Sequence, residues 1–230
     1  MAQCSPDSQV YVIARNEAEK NESRSGTGKA RGSRGISKKK LEPALQEAKE
    51  GKRVVLFVDA VHFLYAACLG FFWCFQRVLV KSPSGRKRLN ILGCLNAVTN
   101  EVLSVTEEAY INAKTVCTLL EKVAQSYGGS VPITIILDNA RYQRCNLVRL
   151  CAERLGIELS FLPSYSPNLN LIERYWKWLK KTCLYSKYYQ DFASLQSIVL
   201  ERIRCMDIEK TNALKTLLTW RFESLKNIYQ

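Results

Sequence analysis

Three carboxylates in this sequence occupy positions from which they could act together on a phosphate ester. Asp59 ends the apolar run "LFVD", Asp138 ends "TIILD", and Glu173 closely follows the Pro-, Ser- and Asn-rich stretch "LPSYSPNLN". Two hard divalent cations about 3.5–4 Å apart need oxygen ligands, and such a pair activates a water or a 3′-hydroxyl and stabilises the leaving oxygen. The chemistry that would use all three acids is metal-assisted phosphodiester cleavage, with nearby Lys and Arg holding the backbone phosphates.

Each of these acids also has an ordinary explanation when it is considered alone. Asp is a common loop residue and helix cap, so a single strand that ends in Asp carries little information. Glu173 lies four residues before Lys177, and a surface pair of this kind stabilises a helix by roughly 0.3–0.5 kcal/mol. Two strand-end acids in a basic chain favour a shared site, because the carboxyl ends of parallel strands commonly open into a ligand-binding crevice.

The composition of the chain argues against several other kinds of site. His62 is the only histidine, and the nine cysteines include no C-x-x-C pair. A His-rich metal site is therefore excluded, and a disulfide framework or a zinc ribbon is disfavoured. The formal charge of +13, from 34 Lys and Arg against 21 Asp and Glu, points to a polyanionic partner such as a nucleic acid. The alternative is a basic enzyme without such a partner.

The segments that must position the three acids alternate between helix and strand patterns. We expect a helix over "KLEPALQEAKEGK", a strand that ends at Asp59, and a hairpin that turns at Thr99–Asn100. Then follow the helix "NAKTVCTLLEKVAQSYGG", the strand that ends at Asp138, a helix to Gly156, a strand to Pro163, a helix from about Leu171 to Cys183, and two helices from Asp191. This order predicts an α/β fold of the ribonuclease H-like type, with a mixed five-stranded sheet flanked by helices.

Residues 1–40 differ in composition from the rest of the chain. The stretch "KNESRSGTGKARGSRGISKKK" carries eight basic residues and one acid, too little apolar surface to fold alone. We expect a flexible basic N-terminal arm, either a nucleic-acid contact or a solvated tail, ahead of a globular domain over 41–230. The longest uncharged apolar run, "FLYAACLGFFWCF", is too short to span a bilayer, and no signal-peptide pattern is present. These features predict a soluble intracellular protein.

Four blocks of the sequence resemble those of mariner-like DDE transposases, in particular their bacterial insertion-sequence branch. The blocks are "LFVDAVHF", "GRKRLNILGCLN", "ILDNARYQR" and "LSFLPSYSPNLNLIERYWKWLKK", which occur in the expected order over roughly residues 40–185, with 34 residues between Asp138 and Glu173. The resemblance implies a ribonuclease H-like DDE catalytic domain that cleaves DNA strands at transposon ends and joins them to target DNA, typically at a TA dinucleotide. It also implies Mg²⁺ or Mn²⁺ as cofactor, with two ions at the site.

The resemblance assigns roles to individual residues. It implies that Asp59, Asp138 and Glu173 are the catalytic acids and the metal ligands, and that the loop Pro163–Asn170 positions the helix of Glu173. The residues it suggests for DNA binding are His62, Arg86, Lys87, Arg88, Asn139, Arg141, Lys177, Lys180 and Lys181. Several of these have alternatives: His62 can be structural, Arg141 can pair with an acid, and residues 86–88 can form a solvated turn. Trp176 is expected in the core and Trp178 at the surface.

The sequence departs from the family pattern in two places. Gln143 stands where the family usually has His, which alters a local contact but no metal ligand. Residues 1–40 cannot form the helix-turn-helix domains that usually precede the catalytic domain and read the terminal repeats. We therefore expect one of three origins: the second frame of a frameshifted element, a truncated copy, or a catalytic piece that depends on a full-length partner.

The partners and alternatives follow from the same reasoning. The expected partners are DNA, as transposon ends and target, and a second copy of the chain or another transposase chain, with no membrane. The expected location is the bacterial cytoplasm, in association with the nucleoid. Two other functions remain open: a ribonuclease H-like nuclease or junction resolvase, and an inactive DNA-binding remnant of a truncated element.

Overall fold

The computed structural model describes residues 34–65, 87–107, 109–129, 131–162, 170–205, and the single residues 212 and 218. Within 34–40 only the backbone is described. Several predictions therefore lie outside the described residues: most of the N-terminal arm, Arg86, residues 163–169 of the loop before Glu173, and the second of the two C-terminal helices. No helix in the described ranges is both long and apolar enough to cross a membrane.

The described strands form one mixed sheet in the order β3-β2-β1-β4-β5. Its strands are β1 (Val54–Tyr65), β2 (Lys87–Asn96), β3 (Val102–Glu107), β4 (Ile133–Leu137) and β5 (Ile157–Phe161). The first three strands pair antiparallel, whereas β4 pairs parallel with both β1 and β5. The predicted sheet, with an antiparallel part followed by parallel strands, is confirmed.

Five described helices cover this sheet. They are α1 (Arg34–Lys49), α2 (Ala113–Tyr127), α3 (Asn146–Arg154), α4 (Leu171–Leu184) and α5 (Phe192–Arg204). The helix α1 begins at Arg34, inside the stretch predicted as an arm. The helices α2, α3 and α4 begin and end within a few residues of the predicted positions, and α5 begins where predicted, because capping and stop residues such as Asn112, Asp191 and Gly156 mark these positions.

The prediction that β1 ends at Asp59 was wrong. The strand continues to Tyr65, and ten consecutive residues of β1, from Leu56 onward, pair with β2. Only its first part pairs with β4, and the last of those pairs joins Phe57 to Ile136. The longer β2 gives the second half of β1 its hydrogen-bond partners, and the sequence there alternates between buried and exposed residues, as in a half-buried strand. Asp59 thus lies where β4 stops and β1 continues.

The sheet has a hydrophobic core on each face. Val55, Phe57, Val61 and Phe63 of β1 pack in a cluster with residues of α1, α4 and α5. The alternate residues of β1, such as Leu56, pack in a second cluster with α2 and α3. Because side chains alternate between the faces of a strand, Asp59 points to the same face as Phe57. The sheet therefore presents Asp59 toward α4.

Candidate active site

Asp59 and Asp138 lie side by side on one face of the sheet. Phe57 and Ile136 are paired in the parallel ladder between β1 and β4, and each aspartate is two residues further along its own strand or its extension. The spacing of two residues keeps both side chains on the same face, and neighbouring strands are only about 4.8 Å apart. Burial raises the pKa of Asp59, and the negative charge of the neighbouring Asp138 raises it further.

Glu173 reaches the two aspartates from the helix α4. It is the acid in the first turn of α4, and this helix packs on the sheet face toward which Asp59 points. Leu171, Ile172 and Tyr175 beside it are buried, whereas Glu173 itself is half-buried. The charge of Asp138 raises the pKa of Glu173, and Glu173 in turn raises that of Asp59. The structure therefore brings the three predicted acids into one electrostatic cluster.

Asn170 attaches the start of α4 to both aspartate strands. Its side chain is only 1% exposed, and its Nδ2 donates to the backbone oxygen of Val58 and to Oδ1 of Asp138, each at 3.4 Å. An Asn at the N-cap usually accepts a hydrogen bond from its own helix, but the Asn170 side chain makes no such bond. Its contacts instead hold the first turn of the Glu173 helix against β1 and the end of β4.

Gly93 allows α4 to lie close to the sheet at this position. It pairs with Asp59 across the antiparallel ladder, and its neighbours Ile91 and Leu95 belong to the cluster on the α4 side. A Cβ atom at Gly93 would lie 2.5 Å from Cη2 of Trp176 and 3.3 Å from Cδ1 of Ile172. The ring of Trp176 therefore occupies the space that any side chain at Gly93 would need.

The three acids share an environment that disfavours their charged forms. Burial, followed by the charge of Asp138, raises the pKa of Asp59 to about 7, although a hydrogen bond from the backbone of Ala60 lowers it. Burial is also the main cause that raises the pKa values of Asp138 and Glu173. A nearby positive charge would therefore stabilise the ionised forms of these half-buried carboxylates, which repel one another.

A comparison with models of protein families identifies a family over the part of the chain that holds the three acids. The family model for the DDE superfamily endonuclease matches residues 54–196, a range that contains all three acids. The chain belongs to the DDE superfamily endonucleases.

Solved structures show which fold this DDE domain has. A Mos1 transposase paired-end complex with a left transposon end matches with a TM-score of 0.58 and 14% identity, covering 80% of this chain and 57% of that chain. The catalytic domain of Mos1 mariner transposase matches with a TM-score of 0.56 and 14% identity, covering 80% and 85%. The Mos1 mariner paired-end complex with Mn matches with a TM-score of 0.55 and 15% identity, covering 79% and 58%. The fold is thus ribonuclease H-like, as predicted.

The matches to the Mos1 structures cover different shares of those chains. The chain spans a little more than half of the transposase chain in the paired-end complex, and most of the isolated catalytic domain. A search of curated proteins found no match.

Two lysines of α4 place positive charges near the acids of the DDE domain. Lys180 is half-buried, and its charge lowers the pKa of Asp59, while Lys177 is exposed and lowers the pKa of Glu173. Burial lowers the pKa of Lys180 itself, and the attraction of Asp59 opposes that effect. The charge of Lys177 therefore acts on Glu173, as the alternative explanation of a surface pair requires, while Glu173 also belongs to the acid cluster.

The other residues predicted to bind DNA lie at several places around the acids. Burial lowers the pKa of His62, and the nearby charges of Lys180 and Arg88 add to that effect, so these three groups are neighbours. Asn139 donates from Nδ2 to the backbone oxygen of Leu162 at 2.7 Å, which ties the end of β4 to the end of β5. The side chains that project outward are exposed: Lys87, Arg88, Arg141, Lys177 and Lys181.

Sequence reasoning missed several residues that shape the site. It gave no separate role to Asn170 or Gly93, although both lie inside the blocks that resemble the family. It also overlooked Tyr142, whose pKa is raised first by burial and then by the charges of Asp59 and Asp138. The only sequence signal for Asn170 and Tyr142 was their position within a few residues of Glu173 and Asp138, and Gly93 had no such signal. Trp176 is buried as predicted, whereas Trp178 is partly buried, with its ring 5.9 Å from that of Tyr175.

The donor set fits hard divalent cations by its chemistry. Mg²⁺ and Mn²⁺ prefer carboxylate oxygens, and the mutual repulsion of the three acids is the electrostatic condition that such an ion relieves. Within the ranges that the structure describes, no three His, Cys, Asp or Glu side chains stand close enough to ligate one ion together. Metal binding would therefore require the three acids to move closer together.

Proposed function

We propose that this chain is the catalytic domain of a mariner-like transposase of the bacterial insertion-sequence branch. In this proposal it cleaves DNA strands at transposon ends and joins the freed 3′ end to target DNA. The observation that carries the proposal is the convergence of Asp59, Asp138 and Glu173 from three separate elements in a domain of the DDE endonuclease superfamily. The similar Mos1 structures include complexes with a transposon end and a strand transfer complex, which supports the choice of substrate.

The roles of the residues follow from their positions. Asp59, Asp138 and Glu173 would hold Mg²⁺ or Mn²⁺, and crystals of the Mos1 catalytic domain with each of these metals support that choice. When bound, two such ions supply the activation of the attacking oxygen and the stabilisation of the leaving one. Lys177 and Lys180 lie beside the acids and would hold the backbone phosphates of the strand at the site. Asn170 donates to Oδ1 of Asp138 and would help to hold that carboxylate in place.

The same proposal includes the partners and the location. The chain binds DNA, and it acts with a second copy of itself or with another transposase chain, because two transposon ends must be brought together. Its place is the bacterial cytoplasm, at the nucleoid. DNA contacts from His62, Lys87, Arg88, Asn139, Arg141 and Lys181 are part of this proposal, as is one from Arg86, which lies outside the described residues.

A joining assay tests this function. A labelled duplex that carries an inverted repeat from the DNA flanking the coding sequence, with a free 3′-hydroxyl, is incubated with supercoiled plasmid and Mn²⁺. We expect the label to become covalently attached to the plasmid, and we expect no attachment with Glu173→Gln or with EDTA. Nicked plasmid without label would show a simple nuclease or resolvase instead. Binding without any nicking would show an inactive DNA-binding remnant.

A further inference from the structure

A row of exposed side chains runs along α4 away from Glu173. Lys177 and Lys181 follow Glu173 at intervals of four residues, and Tyr185 follows at the next such interval, where the helix ends. Residues four apart on a helix lie on the same side, so these side chains form a slowly winding line. The opposite side of α4 is buried through Ile172, Trp176 and Leu179, which leaves this line facing outward.

The segment after α4 extends the same surface and is firmly attached to the fold. Tyr65 Oη at the end of β1 donates to the backbone oxygen of Gln190 at 2.8 Å and lies 3.2 Å from that of Tyr189. The hydroxyl of Tyr189 donates to the backbone oxygen of Cys183. These contacts use Tyr65 and Tyr189 as anchors, and they fix the backbone between α4 and α5.

Two other tyrosines of this segment point away from the core. The side chains of Tyr185 and Tyr188 are 53% and 49% exposed, and Lys187 between them is exposed as well. A large exposed aromatic ring beside lysines is a common platform for unpaired bases, because each base stacks on the ring while the lysines hold its phosphate. We call Lys177, Lys181, Tyr185, Lys187 and Tyr188 the lysine–tyrosine stripe.

We propose that the lysine–tyrosine stripe binds a single-stranded stretch of DNA that leads to or from the acid cluster, with bases stacked on Tyr185 and Tyr188. The inference rests on the proposed function for the identity of the partner. The positive charge of the stripe complements a phosphate backbone, and the net charge of +13 strengthens the attraction. The two tyrosines distinguish unpaired DNA from a duplex, whose bases are stacked on each other and offer no free face.

The length of the stripe sets how much DNA it can hold. Twelve residues separate Glu173 from Tyr185 along the sequence, which is about 18 Å along a helix at about 1.5 Å per residue. One strand of a duplex rises about 3.4 Å per nucleotide, so that distance is at most roughly five nucleotide steps, and fewer for an extended single strand. A single nucleotide is too short to contact the lysines near Glu173 and the tyrosines at the same time.

Fluorescence anisotropy with the full chain tests the stripe. The probes are a labelled ten-nucleotide oligo-dT strand and a duplex of the same length, in EDTA to prevent cleavage. We expect Tyr185→Ala with Tyr188→Ala to weaken single-strand binding by about tenfold or more, while duplex binding stays within about twofold. The double Phe variant should bind like the parent, because it keeps both rings. Tyr110→Ala is the control, since Tyr110 is 74% exposed and closely precedes α2, the helix that packs on the opposite face of the sheet.

The lysines give a second readout. The double variant Lys177→Gln, Lys181→Gln should reduce the slope of log affinity against log salt by about 1.4, since each neutralised phosphate of a single strand contributes about 0.7. Two results for the double Ala variant would contradict the proposed single-strand binding by the stripe. One is an equal loss of affinity for the single strand and the duplex, and the other is an unchanged affinity for the single strand.

The joining assay separates this inference from the proposed function. If single-strand binding depends on the two tyrosines but no label is joined, the stripe stands and the transposase function fails. If label is joined and single-strand binding ignores the two tyrosines, the function stands and the stripe fails.

Discussion

Replacing Asp59 with Asn should stabilise the metal-free protein at neutral and alkaline pH. The pKa of Asp59 rises from an ordinary value of 3.8 to about 7 in the folded protein, so the folded state keeps a proton that the unfolded state releases. Stability that depends on this proton is complete below pH ~4, falls as the pH rises, and stops falling above pH ~7. A shift of this size corresponds to ~4 kcal/mol at ~1.36 kcal/mol per unit.

The size of the effect can be separated from other costs of the substitution. An Asn side chain does not titrate, so the variant should lack this loss of stability. Between pH 5 and pH 8, linkage with these two pKa values predicts that the advantage of Asp59→Asn over the parent grows by about 2–3 kcal/mol. Any effect of the amide on stability that does not depend on pH cancels in this difference. Repulsion from the neighbouring acids makes the advantage of Asp59→Asn grow further as the pH rises.

Urea unfolding at pH 5, 6, 7 and 8 in EDTA measures this difference. Glu153→Gln is the matched control, since Glu153 is an exposed acid on α3, across the sheet from the acid cluster. The parent and Glu153→Gln should show the same pH dependence, and Asp59→Asn should show a flatter one. A free-energy difference between Asp59→Asn and the parent that is equal at pH 5 and pH 8 would refute the raised pKa and the repulsion behind it.

Three further substitutions test how the site is held together. Gly93→Ala should lower the free energy of unfolding by about 1–3 kcal/mol and change the near-UV circular dichroism, because the new methyl group collides with Trp176. Asn170→Asp should lower the free energy of unfolding at pH 8 by about 1–3 kcal/mol, because it replaces a donor with a buried acid that repels its neighbour; urea unfolding measures it. Lys180→Met should extend the pH-dependent loss of stability above pH 7, because it removes a positive charge that lowers the pKa of Asp59, and urea unfolding up to pH 9 measures this.

Each of these variants has a control in the same chain. Gly129→Ala adds a methyl group whose nearest neighbour is 3.9 Å away, so it should leave the circular dichroism unchanged. Asn146→Asp places the same acid at an exposed position, and Lys181→Met removes an exposed charge one residue from Lys180. If Gly93→Ala behaves like Gly129→Ala, or if Lys180→Met and Lys181→Met behave alike, the packing or the electrostatic account of the site is wrong.

The sequence contained enough information to propose the three acids and to predict a mixed sheet with an antiparallel part followed by parallel strands. Alternating helix and strand patterns predicted the mixed sheet, and the residue blocks around Asp59, Asp138 and Glu173 gave the family. The error in β1 arose because an apolar run followed by Asp resembles a strand end, whereas the strand continues where β2 supplies hydrogen-bond partners. Which strands are long enough to pair with each other depends on contacts between distant parts of the chain, which a local pattern does not contain.

The contacts that support the site could not be predicted from the sequence for a similar reason. Asn170 at the start of a helix has the ordinary interpretation of a cap, and only the packing of α4 shows that its amide reaches β1 and Asp138 instead. Gly93 inside a strand has no local signal, since its role depends on Trp176, which is 83 residues away in the sequence. Likewise, the exposed tyrosines after α4 could not be told from core aromatics until Tyr65 and Tyr189 were seen to anchor that segment.

The central claim is that Asp59, Asp138 and Glu173 form one metal-binding site, and a direct measurement of bound Mn²⁺ tests it. Electron paramagnetic resonance of free Mn²⁺ gives the affinity of the parent and of Asp59→Asn, Asp138→Asn and Glu173→Gln. Loss of an outer residue of a metal site already weakens binding by about 10–100-fold, so we expect each variant to bind Mn²⁺ at least about tenfold more weakly than the parent. Parent-like affinity in any one of the three would contradict the assignment of that residue, and parent-like affinity in all three would contradict the site.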